Sequence, residues 1–235
     1  MQEETKMIQY LTDFGLSRQE AVVYEKLLRN GKQTGYEIAK EAGISRSNAY
    51  TSLAALVEKG AAYLVEESAK RYIPVPVGEF CGNRIRRMKK EKDWLTENLT
   101  GNSQDEDGYI TIEGSGNIRD KLTNLLMGTK ERVYLSASAP CIATFSELLQ
   151  KLTADGRKVV LITDGPSEIA GARVYLTEAK GCQIGVIVDS RYVLSGEFGG
   201  GSMNTCLYSG RKNFVLLFKN ALANEIELIK IQKGE

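Results

Sequence analysis

Histidine is absent from this 235-residue sequence. Its absence removes any imidazole general base, the Ser-His-Asp and Cys-His dyads, and His-ligated zinc. The four cysteines, Cys81, Cys141, Cys182 and Cys206, are dispersed and form no CxxC pair. That spacing argues against a zinc site or a redox motif, and reduced, partly buried thiols are expected instead. No apolar run approaches the ~18 residues that a bilayer span needs. The opening MQEETKMIQY carries acidic residues and no apolar core, so a secretory signal is not expected. A cytoplasmic protein with no metal, cofactor or membrane partner is the simplest reading. An excess of charge is missing too. The net charge is +1, and residues 1–77 hold ten Lys/Arg against ten Asp/Glu. Any contact with nucleic acid must therefore come from local placement of cations.

What is present is a pattern. A hydrophobic content of 42% with 26% charged residues is ordinary for globular protein, and the length suits two domains better than one. Residues 7–66 read as a run of short helices. Ser17-Arg18-Gln19-Glu20 has capping-box spacing, in which a Ser hydroxyl satisfies a free N–H and Glu reaches back three residues. It predicts a helix through Arg29, closed by Asn30-Gly31. Thr34-Gly35-Tyr36-Glu37 is a second box, for a helix ending near Ala42-Gly43. Ser45 caps a third, running to Lys59-Gly60, with Ala49, Leu53, Leu56 and Val57 on one face. Two short helices meeting across Glu41-Ala42-Gly43-Ile44 form a helix-turn-helix.

The third helix has a polar start. Arg46, Ser47, Asn48 and Thr51 lie off the apolar stripe, where a recognition helix meets base edges. Arg suits guanine and Asn suits adenine. A solvated helix face is the competing reading. Strands at Ala61–Val65 and Arg71–Val75 around Glu66-Glu67-Ser68-Ala69-Lys70 then make a hairpin, a wing with Lys70 and Arg71 near its tip, where they can meet phosphates. Thr34, Ser45, Arg46, Ser47, Asn48, Thr51, Lys70 and Arg71 are thus the candidate DNA-contacting residues. Beyond Pro74 and Pro76, residues 78–99 predict a long amphipathic helix. Cys81, Ile85, Met88, Lys92, Leu95 and Leu99 follow alternating steps of 4 and 3, the heptad of a two-helix coiled coil. Ile85, Met88, Lys92, Leu95 and Leu99 are the candidate dimer interface. Arg84, Arg86, Arg87, Lys89 and Lys90 crowd the other faces, as a solvated surface or a phosphate-binding stripe. Packing of this helix on the chain's own C-terminal half is a third option.

Thr100–Asp107 reads as a linker. From Gly108 strands and helices alternate: strands at Tyr109–Glu113, Arg132–Ser136, Lys158–Thr163, Gln183–Val188 and Tyr192–Ser195, and helices at Asn117–Leu126, Ala143–Ala154 and Val215–Ile229. This rhythm indicates a layered α/β domain. Thr163-Asp164-Gly165-Pro166 is either a plain turn or a ligand loop at a strand end. Gly199-Gly200-Gly201-Ser202 reads as a hairpin loop and lacks the Lys of a P-loop.

The segments FGLS-x-x-E, VYEKLLRNG, EIAKEAGISRSNAY, SLAALVEKG and KRYIPVPVGEF resemble the N-terminal winged-helix domain of the TrmB family of transcriptional regulators and its exit into a dimerisation helix. The C-terminal half is similar to the phospholipase D-like domain that the family carries. In that resemblance CQIGVIVDSRYVLSGEF occupies the register of the catalytic HxKxxxxD segment. With its Asp on Asp189, Cys182 stands where His would be and Ile184 where Lys would be. The resemblance thus implies a fold without nucleophile or phosphate-holding cation, used for sensing or assembly, and no catalytic residues. It leaves no room before residue 235 for the additional sugar-binding domain of longer members.

The expected architecture is an α+β winged helix-turn-helix domain (1–77), a long coiled-coil helix (78–100) and an α/β phospholipase D-like domain (108–235). The expected partners are double-stranded DNA, a second copy of the chain and a small-molecule effector. A phosphodiesterase with a DNA-targeting domain, and a winged helix that binds protein, are the alternatives.

Overall fold

The computed structural model describes residues 2–66, 69–99, 108–200 and 204–233. It divides into two compact units, Met1–Gly101 and Asn102–Glu235. The linker expected at 100–107 lies outside the described residues, as do Glu67 and Ser68 of the wing turn and Gly201 and Ser202 of the glycine-rich loop.

In the first unit the elements are α1 (Gln2–Asp13), α2 (Arg18–Asn30), β1 (Gln33–Thr34), α3 (Gly35–Ala42), α4 (Arg46–Lys59), β2 (Ala62–Glu66), β3 (Lys70–Pro74) and α5 (Val77–Asn98). Both capping boxes form: Ser17 with Glu20, and Thr34 with Glu37. Ser45 caps α4 by accepting from the Asn48 N–H at 3.2 Å. Gly43 and Gly60 end α3 and α4 in the left-handed conformation, at φ 64° and 76°. A side chain there would be strained, so these two glycines fix where the helix-turn-helix turns and where the wing begins. The strands pair in the order β1-β3-β2, all antiparallel. Strand β1 was not expected, because two residues carry no periodicity, and α1 begins five residues before the expected helical start. The hairpin strands sit within one residue of their expected bounds.

Tyr24, Leu27, Ile38, Ala49, Leu53 and Leu56 fill the core, with Val57 partly buried against it. The root of α5 belongs to this core. The Tyr24 hydroxyl donates to the Val75 carbonyl at 2.6 Å, and the Tyr24 ring meets Phe80 edge-on with centroids 5.6 Å apart. The first turn of α5 is thereby fixed to α2 and to the exit of the wing.

The second unit comprises β4 (Ile110–Glu113), α6 (Ser115–Met127), β5 (Arg132–Ala137), α7 (Ala139–Thr144), α8 (Ser146–Ala154), β6 (Lys158–Thr163), β7 (Arg173–Leu176), β8 (Gln183–Val188), β9 (Tyr192–Glu197), β10 (Thr205–Ser209) and α9 (Lys212–Lys233). The seven strands run in the order β4-β10-β9-β8-β5-β6-β7, parallel across β5, β6 and β7 and antiparallel elsewhere. Both faces of the sheet are covered. Leu161, Val186 and Val188 join Ile118, Leu122 and Leu149 of α6 and α8, while Ile162, Ile187 and Val193 join Val215, Leu222 and Ile229 of α9. This two-sided burial explains why β6 and β8 read as continuous apolar runs.

Two expectations are corrected here. The helix at Ala143–Ala154 is two helices, broken at Phe145, whose ring is buried in the core and whose N–H bonds to the Ile142 carbonyl at 3.0 Å. Strands β7 and β10 were not foreseen: β7 is a four-residue edge strand exposed or half-buried throughout, without alternation to betray it. Of the two readings open for Thr163–Pro166, the geometry fits the plain turn. The Asp164 carboxylate accepts from the Ala139 and Lys180 N–H groups, both at 2.8 Å, tying three segments together. All four cysteines are free thiols, with Cys206 buried and the others half-buried. Among the described residues no helix is long and apolar enough to cross a membrane.

Candidate nucleic-acid interface

Helix α4 is divided by its burial. Ala49, Ser52, Leu53 and Leu56 face the core, and Arg46, Ser47, Asn48 and Thr51 are exposed on its first two turns. No acidic residue occurs on α4 before Glu58. The near-neutral balance of the N-terminal region is therefore not uniform. Several of its carboxylates are engaged away from that face, among them Glu25 with Lys26 and Arg29, and Glu41 with Asn30 and Gln33. At the far end of α4 the Lys59 ammonium donates to the Gly15 carbonyl at 3.0 Å and to Glu20 at 2.6 Å. Burial opposes ionisation of Glu20, but the Lys59 bond and the Ser17 cap outweigh it and hold the carboxyl below its ordinary range. This clamp fixes α4 against the α1–α2 turn.

Thr34 and Ser45, two of the expected contact residues, are helix caps. The Thr34 hydroxyl accepts from the Glu37 N–H at 3.3 Å and donates to the Glu37 carboxylate at 2.8 Å. The Thr34 backbone N–H, which donates to the Glu37 carboxylate at 2.7 Å, does most to lower the Glu37 pKa, followed by the hydroxyl, with a smaller contribution from Arg71. Arg71 pairs with Thr34 across β1 and with Val65 across the hairpin, one position from the wing turn, and is half-buried. The reason is β1, whose presence turns the start of β3 into an interior ladder position. Lys70, paired with Glu66 in the last ladder pair before the wing turn, is exposed.

Three residues were missed. The Arg46 guanidinium stacks over the Tyr36 ring, 4.5 Å from its centroid. Tyr36 is 52% exposed and Tyr50 46% exposed. Tyr50 lies so close on the backbone of Gly35 that a Cβ there would fall 2.4 Å from the ring. Tyr36 and Tyr50 thus extend the exposed face around Arg46, and the buried Gly35 lets the Tyr50 ring approach. The signal was available for Tyr36, which falls outside the apolar phase of its helix, since an aromatic out of phase is a candidate contact residue; Tyr50, seven residues before Val57, lies at the edge of the apolar face.

On α5 the expected seam from Ile85 onward is uncovered, with Ile85 56% and Leu99 67% exposed and Met88 and Leu95 between them similarly open. Lys92 ion-pairs with its neighbour Asp93 at 2.7 Å.

In the second unit the segment likened to HxKxxxxD is pulled apart by its strand. Cys182 precedes β8 and Asp189 follows it, so about 23 Å of extended chain separates them. Ile184 is in the core. Asp189 has φ 51° and accepts from the backbone N–H groups of Lys130, Glu131 and Arg132 at 2.8, 2.8 and 2.9 Å. Burial opposes its ionisation, and these three bonds outweigh that and lower its pKa. Asp189 therefore organises the start of β5, and it shares no site with Cys182.

Residues 11–78 match the family model described as "Sugar-specific transcriptional regulator TrmB". The chain is 27% identical over 175 residues to the uncharacterized protein YrhO of Bacillus subtilis (strain 168), an alignment covering 72% of this chain and 63% of that protein. It is 25% identical over 155 residues to the HTH-type sugar sensing transcriptional regulator TrmBL1 of Pyrococcus furiosus, covering 63% of this chain and 45% of that protein. The match thus spans less than two thirds of the length of either relative. Among solved structures the chain is similar to TrmBL2, an archaeal chromatin protein, at 18% identity and TM-score 0.45, covering 96% of this chain and 98% of that one. It is also similar to NucT from Helicobacter pylori, at 14% identity and TM-score 0.43, covering 51% of this chain and 96% of that one. At such TM-scores these two likenesses add nothing to the topology described above. The likeness to the TrmB family thus lies in residues 11–78, which span the helix-turn-helix and the wing.

Proposed function

We propose that the chain is a sequence-specific, DNA-binding transcriptional regulator that acts as a homodimer. The observation that carries the reading is the exposed, acid-free start of α4, with Arg46 held on Tyr36. In this reading residues 1–77 are the DNA-binding domain, 78–100 the dimerisation helix and 108–235 a non-catalytic domain that takes a small effector. Arg46 and Asn48 read base edges in the major groove, with Ser47 and Thr51 beside them. Ser45 and Thr34 hold the two helix starts, and Lys70 meets phosphate from the wing, with Arg71 supporting it. The dimer forms through Ile85, Met88, Lys92, Leu95 and Leu99. The heptad spacing and the exposure of its apolar members support this, and a polar Lys92 in the seam favours one register. Because Tyr24 and Phe80 fix α5 to the winged helix, pairing of α5 sets the separation of the two α4 helices. An effector that binds one dimer geometry better than another then changes DNA affinity. The placement of Ile184 and Asp189 supports a domain without phosphodiester chemistry.

Selection of duplexes from a random pool, followed by fluorescence anisotropy, tests this reading. The expected result is one selected sequence with two half-sites about one helical turn (~34–36 Å) apart, and an affinity that falls with salt. Arg46→Ala relaxes the sequence preference, and Lys70→Ala weakens all duplexes alike. An unselective pool with equal binding by wild type and Arg46→Ala overturns it.

A further inference from the structure

Helix α9 and the sheet enclose a cavity of about 320 Å³ between them, within the range of small-molecule sites. Its floor is apolar: the Tyr134 ring on β5, Ile187 on β8, and Leu222 and Ile226 on α9. Lys219, Leu222, Ala223, Ile226 and Glu227 follow steps of three, one, three and one, so a single face of α9 forms the wall. Ala223 is the smallest of these and is exposed on that face.

The rim decides the chemistry. Arg132, at the start of β5, has Glu131 at 3.2 Å. Glu227 is answered by Lys230 at 2.7 Å. Lys219 makes no hydrogen bond or ion pair among the described residues, and it stands at the edge of an apolar trench. One positive charge is thus left uncompensated beside a surface that an apolar body would cover. Lys158, whose ammonium lies 5.5 Å from the Tyr134 ring centroid, adds to the positive side. The Ser190 hydroxyl is a further polar group on the lining.

We propose that this cavity binds a small carboxylic acid with a flat apolar body, its ring on Tyr134 and Leu222 and its carboxylate on Lys219. The site gives the effector of the proposed function a place and a chemistry. It rests on that reading only for its consequence at DNA.

The test uses the full chain without DNA, so that failure here and failure of DNA recognition are separate results. Sodium 1-naphthoate is titrated into the ¹⁵N-labelled protein, with neutral 1-naphthalenemethanol as comparator. The expected outcome is saturable binding that perturbs the amides around Tyr134, Ile187, Ser190 and 219–227. The alcohol binds at least tenfold more weakly. Ala223→Trp, on an exposed position of the wall, abolishes binding, and Lys219→Glu weakens naphthoate at least tenfold while leaving the alcohol unchanged. Shifts that do not saturate, or that are the same in Ala223→Trp with its melting temperature preserved, overturn the site. Naphthoate binding that survives Lys219→Glu overturns the assignment of the carboxylate.

Discussion

Replacing Asp189 gives the sharpest test of the physical account of the second unit. Its carboxylate takes the N–H groups of Lys130, Glu131 and Arg132, and its backbone sits at φ 51°. Hydrogen bonds to a charged group are worth ~1.5–3 kcal/mol each when sealed from water. These three N–H groups lie in an exposed turn, so water replaces much of each bond and roughly 0.5–1 kcal/mol apiece is the fair figure. Left-handed backbone adds about 1 kcal/mol for alanine, which lacks the tolerance of Asp. Asp189→Ala is therefore expected to cost about 2.5–4 kcal/mol. Asp189→Gly loses the same bonds without the backbone strain and costs about 1 kcal/mol less. Asp189→Asn keeps one acceptor oxygen and the left-handed tolerance, and is the mildest. The sole tryptophan, Trp94, lies in α5 and reports the first unit. Hydrogen exchange of peptides covering residues 130–135 reports the second. The predicted order of protection is wild type, Asn, Gly, Ala. Equal exchange in all four, or Ala better protected than Gly, refutes the reasoning.

The remaining predictions concern the first unit and pH. Tyr36→Leu removes the ring beneath Arg46 and weakens the selected duplex about two- to fivefold, the ~0.5–1 kcal/mol of an exposed cation–π contact, and an unchanged anisotropy titration contradicts it. Gly35→Ala pushes the Tyr50 ring aside and lowers affinity without unfolding the domain. In a Tyr50→Ala background the same change has no further effect, and additive losses would show that the two residues act separately. Leu95→Glu places a charge in the proposed seam and shifts sedimentation from dimer to monomer, whereas an unaltered profile removes α5 as the interface. Glu20 and Asp189 have lowered folded pKa values, so their stabilisation is present above the unfolded carboxylate value of ~4 and is lost as pH falls through the folded value. Acid denaturation followed by circular dichroism should therefore shift to higher pH in Asp189→Asn.

The first unit was legible because its signals are local. A capping box spans four residues, a left-handed glycine ends a helix, and an apolar stripe marks one face, so α2, α3 and α4 emerge from the sequence with near-correct ends. What was lost depends on distance along the chain. Strand β1 exists only because Gln33 and Thr34 meet Tyr72 and Arg71, and that pairing leaves Arg71 half-buried. In the second unit the buried strands β6 and β8 announced themselves by unbroken apolar runs, whereas β7 and β10 are defined by their neighbours. The candidate site followed the same rule. Arg46 and Asn48 are visible from helix phase, but the Arg46–Tyr36 stack and the Gly35–Tyr50 approach join two helices and needed the fold.

The strand order has a consequence for synthesis. Strand β4 enters the sheet against β10, roughly ninety residues later in the chain. At ~5–20 residues per second a ribosome leaves β4 without its partner for about 5–20 seconds. The winged helix, built from neighbouring segments, is finished well before then. A waiting strand is an aggregation hazard when it is long and apolar on both faces. Strand β4 is four residues, Ile110–Glu113, with every second one exposed, and Thr111 and Glu113 face outward. Its brevity reads as a safeguard for the nascent chain. Lengthening it with apolar residues would strengthen the finished sheet and lower the yield of protein that reaches it.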